Sequence, residues 1–111
     1  MSTRATEVLA AQIPDELYNS ERREIHDLGF RLLFNLAEEI DVGADEHYYV
    51  ATVRLVPQTV RAHAMLAGQA KDDQNAEYLE VEQRFPQDLS LAPLALGDAI
   101  REGIDTLRQV A

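Results

Sequence analysis

The side chains able to bind a metal or move a proton are few and scattered. The chain has three histidines, His26, His47 and His63, and no cysteine. A helical metal site places two ligands three or four residues apart on one face, and no histidine pair has that spacing. Neither Glu-x-x-His nor His-Glu-x-x-His occurs. His26 borders an apolar run and reads as a hydrogen-bonded boundary residue. His47 and His63, together with Tyr48 and Tyr49, are the groups that would line a small-ligand pocket if neighbouring strands brought them together. Oxygen donors appear in Asp41-x-Gly43-x-Asp45 and in Asp72-Asp73-Gln74-Asn75. Both lack the sixth-position glycine and terminal glutamate of a calcium loop, and read as solvated turns.

Nucleophilic chemistry needs a serine, threonine or lysine beside a base. Ser2, Ser20 and Ser90 are the serines, and none stands in Gly-x-Ser-x-Gly. With five glycines in all, the chain has no phosphate-binding glycine loop. The adjacent carboxylates Glu38 and Glu39 could share acid–base work only in a cleft that separates their pKa values. The expectation is therefore no catalytic residue, no cofactor and no metal site.

What stands out is charge. Among 111 residues, 20 acids face 10 bases, for a formal charge of −10. Nine of the bases are arginine and Lys71 is the single lysine. Such a surface repels phosphate, so direct nucleic-acid binding and anionic membranes are disfavoured. Glu38, Glu39, Asp41, Asp45 and Glu46 fall in nine residues with no Lys or Arg among them, and Asp72, Asp73, Glu77, Glu80 and Glu82 form a second acidic stretch. These stretches read either as solubilising surface or as a field that attracts a basic partner. Acids in a row along an edge also imitate a line of phosphates.

The elements that would carry these groups follow from periodicity. Residues 1–13 read as an N-terminal arm or short helix, and residues 14–111 as a single domain. The first ten residues hold one arginine and no long apolar core, unlike a signal peptide. No apolar run approaches the ~18 residues of a membrane span.

Residues 15–40 predict a long helix. Pro14-Asp15-Glu16 is a helix-start signal. At ~100° per residue, Leu28, Leu32, Ile25, Tyr18, Leu36, Ile40 and Leu33 share a face. Ala37, Phe30 and Phe34 widen it well past half the circumference. So broad an apolar girth asks for cover on two sides, by the chain's own sheet and helix or by a second copy meeting Phe30 and Phe34.

Asp41 to Asp45 break the helix. His47–Val56, rich in β-branched and aromatic residues, predicts a strand. Residues 59–70 combine helix-forming composition with alternation, and are read as a strand. Residues 77–85 alternate with one wet face. Leu96, Ile100, Ile104 and Leu107 mark a final helix from about residue 92.

The predicted class is α+β: a three-stranded antiparallel meander flanked by an N-terminal long helix and a C-terminal helix, with an all-α bundle as the alternative. The expected function is a non-enzymatic, cytoplasmic, acidic protein-binding module of adaptor, chaperone-like or regulatory kind. It is expected to be a homodimer whose protein partner offers a basic surface, with Phe30, Phe34, Glu38, Glu39, Asp41, Asp45 and Glu46 as the interaction residues. The alternative is a nucleic-acid mimic that inhibits a DNA- or RNA-binding enzyme, of the phage anti-restriction or anti-CRISPR type.

Overall fold

Gly29 decides where the first described helix ends. The computed structural model describes residues 18–40, 47–69, 77–86 and 88–110, so the arm read at 1–13 and the acids Asp41, Asp45 and Glu46 lie outside them. Helix α1 (Asn19–Asp27) stops after nine residues. The amide of Gly29 bonds the carbonyl of His26, and its φ of +89° turns the backbone out of the helix. The next segment, Phe30–Ile40, is strand β1 and not a continuation of the helix. The apolar arc that looked too wide at 100° per residue is a period of two. Phe30, Leu32, Phe34 and Leu36 turn inward, while Arg31, Leu33 and Asn35 are exposed.

Strand β2 (His47–Pro57) pairs antiparallel with β1, Phe30 opposite Pro57 and Leu36 opposite Ala51. Residues 60–69, expected as a strand, form helix α2 (Val60–Gln69). The Thr59 hydroxyl accepts the amide of Ala62 at 3.0 Å and caps its first turn. Ala62 and Leu66, four residues apart, are buried. Once Thr59 starts a helix, that i, i+4 pair reaches the core and the competing alternation has no sheet to join. Strand β3 (Leu79–Pro86) returns beside β2, giving the sheet order β1-β2-β3. A short 3-10 turn at Leu89–Leu91 leads into helix α3 (Ala92–Val110). Asp88 accepts both the amide and the hydroxyl of Ser90 there, and these bonds hold its carboxyl below the usual range.

The architecture is thus α+β with an open three-stranded antiparallel sheet. Its strands are 30–40, 47–57 and 79–86, so β1 takes the place given to the second half of the long helix and α2 that of the middle strand. The helices pack on one face. α3 crosses β2 and β3, α1 lies against β1, and α2 lies beside α3. The predicted stripe Leu96, Ile100, Ile104 and Leu107 is buried, and shares its core with Ala51, Val53 and Leu55. Gly103 lets α3 sit close: a β-carbon there would stand 2.9 Å from Leu55 Cδ1.

α1 and α3 run in the same direction. Their contacts step from the Tyr18 ring on Gly97, through Glu21 with Arg101 at 3.6 Å, to Glu24 with Arg108. The Tyr18 hydroxyl donates to the Pro93 carbonyl. Burial pushes the phenol up, with Arg101 opposing, so it stays a donor at neutral pH. Tyr18→Phe removes this tether. The expected loss is about 1 kcal/mol, read as a lower midpoint in urea unfolding with unchanged slope.

Candidate functional site

None of the described helices packs on the other face of the sheet. Alternation decides what that face shows. β1 contributes Arg31, Leu33 and Asn35; β2 contributes Tyr48, Val50, Thr52, Arg54 and Val56; β3 contributes Glu80, Glu82 and Arg84. Strict polar alternation would make an ordinary wet face. Here Leu33 is 40% exposed and Tyr78, just before β3, is 38% exposed. Val50, opposite both Ala37 and Arg84, is buried although none of the described helices lies over it.

Arginines and tyrosines organise the surface. The Arg54 guanidinium lies 4.8 Å from the centroid of Tyr78, and that of Arg84 lies 5.1 Å from Tyr48. Arg54 also bonds Glu80, opposite it in the register, at 2.9 Å. That carboxylate is the main reason the Arg54 guanidinium is held above its ordinary pKa. Between these stacks runs a shallow groove of about 370 Å³, lined by Leu33, Asn35, Thr52, Arg54, Glu80 and Glu82. In a chain of net charge −10 this face carries three cations, Arg31, Arg54 and Arg84, and by register three anions, Glu39, Glu80 and Glu82. Flat aromatic rings, arginine and isolated apolar groups on a rigid sheet are the chemistry of a protein-docking surface.

No protein-family model, curated protein or solved structure matches the chain. Function therefore rests on the chemistry of the surfaces themselves.

The residues singled out from the sequence are divided by the fold. Phe30 lies in the core, 2% exposed. Phe34 is half-buried on the helical face, with the Arg22 guanidinium 5.3 Å above its ring. Glu38 and Glu39 occupy the last turn of the β1 ladder, opposite Tyr49 and Tyr48. Four of the seven thus share one strand, and the other three lie in the undescribed connection after it. Tyr48 and Tyr49 point to opposite faces: Tyr49 is buried and stacks on Phe85 at 5.5 Å, so the two do not line one pocket. His26 is exposed beside Asp27, and His63 is exposed on α2. Among the described residues no three His, Asp or Glu side chains converge as a metal would require. The described carboxylates are spread over α1, β1, β3 and α3, and Glu21, Glu24, Glu80 and Asp98 each meet an arginine. None of the described helices is long and apolar enough to cross a membrane.

Sequence reading passed over Leu33, Arg54, Tyr78 and Arg84. The signal was present in the alternation of residues 30–37, but a helical plot put Leu33 on the buried side.

Proposed function

We propose that this chain is a non-enzymatic, cytoplasmic protein-binding module of adaptor, chaperone-like or regulatory kind, homodimeric, with the outer face of its sheet as the docking surface. The observation that carries the reading is the sheet face that none of the described helices covers, where Leu33 and Arg54 line an open groove and two arginine–tyrosine stacks stand on the same face. The net charge of −10 supports a partner with basic surface, because the field speeds its approach, while the flat face supplies the contact. The scattered and ion-paired described carboxylates weigh against a row of phosphate-like groups.

Affinity capture with the full chain, followed by titration of the captured partner, tests this. Thr52→Arg combined with Tyr78→Ala fills the groove and removes one stack without touching the core. The expected result is at least a tenfold loss of affinity with an unchanged circular dichroism spectrum. Wild-type binding should survive moderate salt, since Leu33 and the rings of Tyr48 and Tyr78 supply contact that salt does not screen. Affinity that ignores both substitutions would remove the sheet face from the reading. Affinity that collapses with salt would favour phosphate mimicry instead.

A further inference from the structure

The free edge of β1 has the length, register and charge distribution to pair with itself. β1 is an edge strand of eleven residues. The Gln58 amide bonds the Gly29 carbonyl, which makes Gly29 and Gln58 a hydrogen-bonded pair. Pairing then alternates, so residues 31, 33, 35, 37 and 39 exchange bonds with β2. The N–H and C=O groups of residues 30, 32, 34, 36, 38 and 40 point away from it. No strand meets them among the described residues. Over its first eight residues the edge also lacks most of the usual guards, and its acids Glu38 and Glu39 stand together near its end. Residues 30–37 hold no proline and no lysine, and Arg31 is their one charge, whereas β3 alternates Glu80, Glu82 and Arg84 and ends on Pro86.

We propose that two copies of the chain join along β1, antiparallel about a two-fold axis at Asn35, to form one continuous six-stranded sheet. This rests on the homodimeric part of the reading above and adds its geometry. Outward-pointing residues must meet outward-pointing residues, so paired numbers sum to an even value. A sum of 70 pairs all eleven residues of the strand, whereas a shift by two leaves both ends unpaired. It forms about twelve main-chain hydrogen bonds.

Charge complementarity selects the second copy as the occupant. On the outer face this register sets Arg31 opposite Glu39 of the partner subunit, Leu33 opposite Ala37 of the partner subunit, and Asn35 opposite its own counterpart. On the helical face it sets Phe30 opposite Ile40 of the partner subunit, Leu32 opposite Glu38 of the partner subunit, and Phe34 opposite Leu36 of the partner subunit. Beside the first half of β1 opens a groove of about 430 Å³, lined by Arg22, Ile25, His26, Phe30, Arg31 and Leu32. The end of the partner strand that arrives there carries Glu38 and Glu39. The basic end of each edge thus receives the acidic end of the other, twice over. The outer faces merge into one platform of double width.

The cysteine-free chain gives a clean test. The full-length protein should sediment at twice the monomer mass. An Asn35→Cys variant under mild oxidant should cross-link nearly completely, because an antiparallel non-hydrogen-bonded pair holds its Cα atoms about 4.5 Å apart, within disulfide range. Thr52→Cys, on the same face one strand inward, should not cross-link. Arg31→Glu should weaken the dimer at least tenfold, and adding Glu39→Arg should restore it. A monomer at all concentrations would overturn both this pairing and the homodimeric reading. A dimer that fails to cross-link through position 35, or that ignores the charge reversal, would overturn the pairing and leave the homodimer standing.

Discussion

Ile100→Ala should lower the melting temperature by roughly 10–25 °C, whereas Thr52→Arg should move it by no more than about 5 °C. The contrast follows from a sheet whose described helices all lie on one side. Ile100 is fully buried on α3, in the same core as Ala51, Val53 and Leu55 of β2. Leu96, Ala99 and Leu107 around it are equally inaccessible. Truncating a buried isoleucine costs about 2–5 kcal/mol, from lost burial and from the cavity left behind. A domain near this size shifts by about 4–8 °C per kcal/mol. Total stability for such a domain is only about 5–15 kcal/mol, so one α3 side chain is a large part of it. Thr52 stands on the other face, opposite Asn35 and Glu82, where a longer cation has room and a partner. Thermal unfolding followed by circular dichroism measures both variants. Equal losses would mean that the outer face is packed, and would remove it as a docking surface.

Gly29→Val should destabilise the chain by at least ~2 kcal/mol. Two causes act together. Its φ of +89° lies where L side chains rarely go, and a β-branched one least of all. A β-carbon there would stand 2.6 Å from Thr59 Oγ1 and 3.3 Å from Ala62 Cβ. Thr59 is the residue that caps α2, so the substitution strains the α1–β1 turn and displaces the start of α2. Guanidinium unfolding, with Thr59→Ala and the double variant, separates the two causes. The cap bond is worth about 1 kcal/mol. Removing the Thr59 hydroxyl should therefore recover part of the Gly29→Val loss, and the remainder is backbone strain. If Gly29→Val is tolerated at full stability, the chain does not turn from helix to strand at this residue. The edge strand and its pairing would then fall with it.

The core was legible where one periodicity had no competitor. The α3 stripe and the alternation of β3 each match a single template, and both elements lie where the sequence places them. The strand 47–57 was visible for the same reason, as β-branched and aromatic residues leave little helical competition. Residues 30–40 failed because their outer positions include Leu33 and Ala37, so an alternating strand filled most of a helical wheel. Residues 60–69 failed in the opposite sense: alanines at 62, 64 and 67 satisfy either period, and only Thr59 breaks the tie. The proposed docking face was hidden by the first of these ambiguities. Arg54, Tyr78 and Arg84 are unremarkable in the linear chain, and become a surface only when β2 and β3 set them side by side.

By itself the sequence determined the class of the fold, the acidity of the molecule, the missing catalytic and cofactor motifs, and the amphipathic helix that closes the core. These follow from composition and from patterns within a few neighbours. Tertiary structure alone decided that Phe30 is interior, that Leu33 is bare, and that β1 ends the sheet with its even-numbered backbone groups facing outward. Those outcomes depend on which strand lies beside which. Register is a property of pairs far apart in the chain, and local preference cannot set it.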